Sequence, residues 1–431
     1  MIPKIELENP AVIKTFQEQQ LVKMLDYVSK NSPYYKRLFT SQNISVSNIK
    51  TLEDLQKLPV TTKSDLQEFN DDFLCVPQHE VIDYATTSGT LGDPVTFGMT
   101  DADLERLAYN EAISFDCAGI KAGDVVQLMT TIDRRFMAGL AYFLGLRKMK
   151  VGVIRVGAGI PELQWDSIRK YKPTHLITVP SFLLKLIEYA ETHGIDYNNS
   201  GIKGAICIGE SLRNQDFSEN TLAKKITDKW NIQLYSTYAS TEMSTAFTEC
   251  EHANGGHHHP ELIVVETLDD NNQPVKNGEP GELTFTTLGI EAMPLIRFKT
   301  GDIVKLHHEP CGCGRKTLRV GPVIGRKQQM IKYKGTTLYP PAMTDVLAGF
   351  SNIESHIIEI YTNDLGTDEI VIKLAVKEQT EAFLHEIKDH FRAKLRVTPK
   401  IVFTSNAILN QLIFNPMSRK PIHFFDHRKQ Y

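Results

Sequence analysis

The chain has little of what marks a secreted, membrane-spanning or nucleic-acid-coating protein. Six cysteines among 431 residues are too few for a disulfide framework, so any grouping among them concerns metal or burial. No basic tail or stripe is present, and 48 Lys and Arg against 52 Asp and Glu leave a net charge of -4. A nucleic-acid partner is not expected. Apolar residues nowhere run for the roughly 18 positions that a membrane helix needs, and Met1-Ile2-Pro3-Lys4-Ile5-Glu6 has no apolar signal-peptide core. The expectation is a cytoplasmic protein without a membrane partner. Long repeats and low-complexity tracts are also missing. What is there, 41% apolar and 23% charged residues, is the composition of a soluble globular chain. At about 150 residues per domain it has room for two or three domains.

Strand-like runs at 125–129, 151–154, 175–179 and 204–208 alternate with helix-period segments, the pattern of a parallel sheet covered by helices. After the third run, Pro180 suits a first helical position and Leu183, Leu186, Ile187 and Ala190 share one helical face. Beyond about residue 260 the pattern becomes short strands broken by Gly and Pro, at 261–267, 281–287 and 302–306. A third pattern follows from about 330, with Ile370, Ile372, Leu374 and Val376 alternating on a strand and Phe383, Ile387, Phe391 and Leu395 at helical spacing. The predicted fold is α/β. A large domain over 1–325, with a β-rich part at about 250–325, precedes a small α+β domain over 326–431.

The run Tyr84-Ala85-Thr86-Thr87-Ser88-Gly89-Thr90-Leu91-Gly92-Asp93-Pro94 packs hydroxyl donors around two glycines. Backbone N–H groups form a concave anion site only where side chains leave room. The run is neither a Walker A loop nor a Gly-x-Gly-x-x-Gly turn, and standing alone it reads equally as a polar turn. Three further segments follow it: Tyr238-Ala239-Ser240-Thr241-Glu242, Lys299-Thr300-Gly301-Asp302 and Gly325-Arg326.

In this order, ending at a domain junction, the segments resemble the adenylate-forming superfamily of acyl-CoA synthetases, adenylation domains and luciferases. The short C-terminal portion and the phrases at 289–297, Cys311-Gly312-Cys313-Gly314-Arg315 and 420–428 resemble its phenylacetate-CoA ligase-like branch most. The resemblance spans most of the chain from about residue 80. It implies an ATP-dependent ligase that converts a carboxylic acid, an aryl acid such as phenylacetate, into an acyl adenylate and passes the acyl group to coenzyme A. It also implies ATP, Mg²⁺, coenzyme A and a structural Zn²⁺.

By the same resemblance, Thr87, Ser88, Gly89, Thr90 and Gly92 would embrace the ATP phosphates. Gly209, Glu210 and Ser211 would line the adenine pocket with Tyr238, Ala239, Ser240 and Thr241. Glu242 would hold Mg²⁺ as a hard carboxylate ligand, Asp302 would accept from the ribose hydroxyls, and Arg326 would reach the sugar or its phosphate. Lys420 would bridge to the α-phosphate during adenylation. Gln328 marks the hinge, Lys334 and Gly335 would wall the pantetheine channel, and stretches 136–142 and 205–208 would shape the acyl pocket. Each residue also has a plain reading: Asp302 as a turn cap, Glu242 as a helix-start carboxylate, Lys420 as a solvated lysine, and 332–335 as an exposed hairpin.

Several positions depart from the family phrases. Leu91 replaces a hydroxyl residue, Asp93 stands where Lys is common, Gln328 and Gln329 replace an acidic pair, and Pro421 follows Lys420. Leu91, Asp93 and the Gln328-Gln329 pair motivate one other reading, a zinc-stabilised nucleotide-binding protein without turnover, and the sequence also leaves open an adenylating enzyme with an acceptor other than coenzyme A. A homodimer is left open too.

Cys250, His252, His257, His258, His259, Cys311 and Cys313 gather thiolates and imidazoles, and three thiolates with one imidazole make a closed tetrahedral zinc site. The resemblance selects Cys250, His258, Cys311 and Cys313, within a choice among the three consecutive histidines. Cys75, Cys117 and Cys207 read as isolated packing residues.

Overall fold

The structure is a computed structural model and describes residues 2–87, 95–333, 336–363, 367–414 and 421–428. They fall into two compact units, one of residues 2–87, 95–300 and 304–322, the other of residues 301–303 and 323–428.

The first unit opens with α1 (Lys4–Leu7), α2 (Pro10–Asn31), α3 (Pro33–Ser41) and α4 (Lys63–Glu68). Prolines begin α2 and α3, where a missing N–H costs nothing, and the Asn9 and Ser32 side chains cap them by accepting from Val12 N and Tyr35 N. The strands β1 (Asp83–Thr86) and β2 (Thr96–Met99) then pair antiparallel. Next comes α5 (Asp101–Cys117), started by a reciprocal cap between Thr100 and Asp103.

The predicted alternation follows: β3 (Val125–Leu128), α6 (Met137–Lys148), β4 (Gly152–Arg155), α7 (Pro161–Tyr171), β5 (His175–Thr178), α8 (Pro180–Thr192), β6 (Gly204–Ile208), α9 (Thr221–Thr227), β7 (Gln233–Ser240) and β8 (Thr245–Thr248). These strands form one sheet in the order β4-β3-β5-β6-β7-β8, parallel except for the last pair. Because side chains alternate across a strand, Leu176 and Ala205 enter a core with Trp165, Leu183, Leu186 and Trp230. Their neighbours Ile177 and Ile206 enter the opposite core with Phe115, Leu128 and Leu146. Both faces of β5 and β6 are therefore dry, which is why these two strands read as continuous apolar runs. On α8 the buried residues are Pro180, Leu183, Leu186, Ile187 and Ala190, as the spacing predicts.

The β-rich part holds β9 (Gly256–His257), β10 (Ile263–Leu268), β11 (Gly281–Thr287), β12 (Phe298–Val304), β13 (Leu306–His307) and β14 (Arg319–Val320). The strand expected from residue 261 begins at Ile263, because the His259 carbonyl accepts from Leu262 N and Ile263 N and holds the preceding residues in a turn. The strand expected over 302–306 starts earlier, at Phe298, and breaks at Lys305.

In the second unit Asp302 and Ile303 of β12 pair with β15 (Gly325–Arg326). Then come β16 (Ile331–Tyr333), β17 (Thr336–Leu338), α10 (Pro340–Ala348), β18 (Ile353–Thr362), β19 (Asp368–Val376), α11 (Glu381–Leu395), β20 (Lys400–Phe403), α12 (Asn406–Ile413) and β21 (Phe424–Asp426). The sheet order is β20-β19-β18-β21. Ile370, Ile372 and Leu374 meet Ile387 and Phe391 of α11 in its core, whereas Ile357 and Ala375 face Leu409 and Ile413 of α12. No helix among the described residues is long and apolar enough to cross a membrane.

Candidate active site and metal centre

Ligands of open parallel sheets gather beyond the carboxyl ends of the strands, and the expected residues 209–211 and 238–241 lie there, at the ends of β6 and β7, whereas Thr87 follows β1 of the separate β1–β2 pair. Ser88, Gly89, Thr90 and Gly92 lie outside the described residues; the base of their loop does not. Thr87 is buried, its N donates to Val95 O at 3.0 Å, and its Oγ1 accepts from Val95 N at 3.2 Å. Its hydroxyl therefore closes the loop base. Thr86 N donates to Arg135 O at 2.9 Å. Both Arg134 and Arg135 are exposed and left-handed, with φ of 59° and 56°, a conformation that costs an L-residue about 1–2 kcal/mol. Met137, at the start of α6, packs with Ala85, Met99 and Leu107, and the Ser244 hydroxyl lies 3.9 Å from its sulfur. The turn after β7 thus converges on the base of the loop.

Gly209 takes a left-handed φ of 79° directly after β6, a turn that a side chain would strain. The Glu210 carboxylate accepts from Ser181 N and Oγ, both at 2.8 Å, so it sits at the positive end of α8. Ser211 Oγ donates to Arg213 O at 3.1 Å. Ile208 pairs with Thr237, which puts Gly209, at the end of β6, beside Tyr238, two residues before the end of β7. The Tyr238 ring stacks on Phe247 at 6.2 Å and 13°. Ala239 is exposed, Ser240 Oγ accepts from Met243 N at 3.2 Å, and the Thr241 carbonyl accepts from Ser244. On this bonded turn Glu242 is half-buried. In the second unit Asp302 Oδ1 lies 3.5 Å from Arg326 Nε, and Gln328 occupies one 3-10 turn, Lys327–Gln329. Lys334, Gly335 and Lys420 lie outside the described residues.

A metal-competent cluster forms in the β-rich part, and it differs from the expectation in one ligand. Cys250, His257, Cys311 and Cys313 bring their donor atoms within 4.8 Å of one another. Cys250 Sγ and Cys311 Sγ are 3.6 Å apart, and Cys313 Sγ is 3.5 Å from His257 Nε2. Tetrahedral zinc, with bonds of about 2.3 Å to sulfur and about 2.0–2.1 Å to nitrogen, separates its donors by roughly 3.5–3.8 Å. The donor set fits. His258 lies outside this cluster because successive side chains of an extended segment point to opposite sides, and its Nε2 is 2.7 Å from Ile263 O. His259, back on the side of His257, meets Glu6 at 2.5 Å. Burial holds His257 down at about 3, a neutral imidazole suited to metal. Burial alone would raise the Cys313 thiol, but bonds from the Arg315 backbone and side chain, with Cys311, bring it below its usual value. Cys117 is not isolated as expected: it packs against Cys250 and Cys311.

The model of the AMP-binding enzyme family matches residues 36–291. The chain belongs to that family. Phenylacetate-coenzyme A ligase of Thermus thermophilus is 29% identical over 390 residues, 89% of this chain and 85% of the relative. The Escherichia coli protein of the same name is 28% identical, over 89% and 86%. A crystal structure of 2-hydroxyisobutyryl-CoA ligase in the postadenylation state superimposes with a TM-score of 0.85 at 24% identity, covering 98% of this chain and 91% of that one.

Several groups around the site in this AMP-binding enzyme carried no sequence signal. Glu6, fully buried, bonds His259 and Arg315, and Arg315 reaches the Cys313 sulfur at 3.6 Å. Burial would raise the Glu6 carboxyl, yet His259 and Arg315 hold it below the usual range. Arg213 and Glu249 pair in the interior at 3.2 Å, and Glu249 also accepts from Ser236 N at 3.0 Å, bracing the 209–213 segment against β7. These pairings join residues far apart in the chain, which local pattern does not reveal.

Proposed function

We propose that the protein is an ATP-dependent acyl-CoA ligase. The carrying observation is that the pairing of β6 with β7 brings Gly209 beside Tyr238, near the carboxyl end of β7, while the turn after β7 meets the base of the 88–94 loop through Met137. Family membership and the similarity to phenylacetate-coenzyme A ligases support the reading.

A carboxylate is a poor acyl donor at neutral pH. Its oxygen therefore attacks the α-phosphorus of ATP and pyrophosphate leaves; the coenzyme A thiolate then attacks the acyl carbon of the adenylate, forming the thioester and releasing AMP. Negative charge grows around the α-phosphate in the first step, and fixed donors there are each worth about 10²–10³ in rate. Thr87 holds the base of the loop whose Ser88, Gly89, Thr90 and Gly92 supply donors to the phosphates. Arg134 and Arg135 bring cations to that base, where Asp93 offers none. Gly209, Glu210, Ser211, Tyr238, Ala239, Ser240 and Thr241 take the adenine, and the stacked Tyr238 ring provides a flat apolar wall. Asp302, steadied by Arg326, accepts from the ribose. Glu242 is the ligand for Mg²⁺, which neutralises phosphate charge when bound. Lys420 serves the adenylation step, Gln328 the pivot, and Lys334 and Gly335 the pantetheine channel.

The preferred acid is aryl, of the phenylacetate kind. Cys250, His257, Cys311 and Cys313 hold a structural zinc that ties two distant loops, and six free cysteines suit a reducing cytoplasm. Acid-dependent exchange of labelled pyrophosphate into ATP tests the first step, and acceleration of AMP release by coenzyme A tests the second. No exchange over a broad panel of aryl and short aliphatic acids would remove the proposal; exchange without a coenzyme A effect would reassign the acceptor.

A further inference from the structure

The guanidinium of Arg428 has five N–H donors, and all five are used. Nε donates to Asp426 Oδ1 at 2.9 Å. One terminal nitrogen donates to Asp426 Oδ2 at 2.5 Å and to the Gln328 carbonyl at 3.3 Å. The other donates to Asp368 Oδ2 at 3.0 Å and to the Met330 carbonyl at 2.8 Å. Three chain segments therefore meet at one side chain: the 3-10 turn Lys327–Gln329 with Met330, the start of β19, and the end of β21.

The far sides of these contacts are fixed as well. Asp368 Oδ2 also accepts from Lys332 N at 2.7 Å, so the same carboxylate grips the chain two residues beyond Met330. His427 N donates to Ile360 O at 2.8 Å, and β21 lies parallel to β18. Arg428 is thus mounted on the central sheet of the second unit, its side chain 19% exposed. No donor is left over for a ligand. The backbone acceptors of this saturated cation are the carbonyls of Gln328 and Met330, so it ties the turn at Gln328 and its exit to the sheet.

We propose that Arg428 is the positioning residue of the pivot, clamping Gln328 and Met330 to the sheet so that rotation is confined to backbone bonds before the Gln328 carbonyl. The consequence for turnover rests on the two-step ligase reading above; the clamp itself does not. A pivot with a defined axis returns the small unit to the same two poses in each cycle. An unclamped one spreads the change over 328–332 and populates each pose less often.

Hydrogen exchange on the full-length chain reads the clamp directly. In Arg428→Ala, amides of 329–333 are expected to exchange at least about tenfold faster while β18 and β19 keep wild-type protection. Arg428→Lys is the second variant: an ammonium has three donors and no planar fork, so it is expected to follow Ala rather than restore protection. Pyrophosphate exchange and thioester formation from a supplied acyl adenylate are then measured separately. Their ratio is expected to move by at least about tenfold in both variants. A purely structural loss would lower both half-reactions by one common factor, and that result overturns the proposal, as does unchanged exchange at 329–333. A wild-type protein without pyrophosphate exchange would sink the ligase reading alone, leaving hydrogen exchange to decide the clamp.

Discussion

Glu111 is a carboxylate with no cation beside it among the described residues. It is buried on α5, where Oε1 accepts from Asn110 Nδ2 at 3.0 Å, and the absence of a side chain at Gly145 lets α6 press against it. Burial pushes its pKa up to about 8 from 4.5. The folded protein therefore keeps a proton that the unfolded chain releases above its ordinary value. Stability from this group is complete below pH 4.5 and is lost as pH rises through about 8, a fall on the order of 4 kcal/mol. Glu111→Gln keeps the acceptor and removes the titration. Urea unfolding at pH 5 and pH 8.5 is expected to show a wild-type loss that the variant lacks; equal losses in both proteins would show that Glu111 does not titrate there. Gly139, on α6, gives a second case in which magnitudes decide the sign. Alanine gains about 1 kcal/mol in a helix, but a Cβ here would overlap the Thr131 carbonyl oxygen and approach Ile132 Cα to 2.9 Å. Backbone cannot yield as a side-chain tip can. Overpacking of about 1–3 kcal/mol therefore wins, and Gly139→Ala is expected to lower the melting temperature.

Among the elements, the metal-competent cluster joins Cys250 and His257, around β9, to Cys311 and Cys313, in the turn before β14, across 61 residues between the first and second thiols. Zinc measured on untagged protein is expected near one equivalent in wild type and in His258→Ala, and below about half an equivalent in His257→Ala. Loss in His258→Ala with retention in His257→Ala would reverse the assignment. The sequence reading chose His258 with the three thiols, whereas the structure gathers the same thiols around His257, for a physical reason. Three consecutive histidines have identical local chemistry, and only the direction in which β9 enters decides which ring faces the sulfurs. The same limit separates what was legible elsewhere. The parallel strands and the buried face of α8 follow from period alone, because burial on both faces or on one helical stripe leaves a pattern in neighbouring residues. Glu6 against His259 and Arg315, or Arg213 against Glu249, leaves none, since each member looks like an ordinary surface charge until the fold closes. Thr87 lies between these cases: its residue type signalled a polar loop, whereas its use in closing the base on Val95 required the β1–β2 pairing.

At the scale of the whole molecule, the proposed reaction has two chemical steps that draw on different residues, and this makes it separable by substitution. Thr87, Gly209 and Tyr238 belong to the first unit, Asp302 and Arg326 to the second, and Lys420 stands just before Pro421, ahead of the strand that carries Asp426. In the proposed scheme the Lys420 ammonium meets charge only while the carboxylate attacks the α-phosphorus. The thioester step begins from an acyl adenylate in which that charge transfer is complete. Lys420→Ala is expected to lose about 10²–10³ in pyrophosphate exchange while thioester formation from a supplied acyl adenylate stays within a few-fold of wild type. A general loss of stability cannot produce that split, because a smaller folded fraction scales both steps alike. Parallel losses in the two assays would therefore remove Lys420 from the adenylation step, whatever their size, whereas a selective loss would assign the first step to the segment that leads into β21.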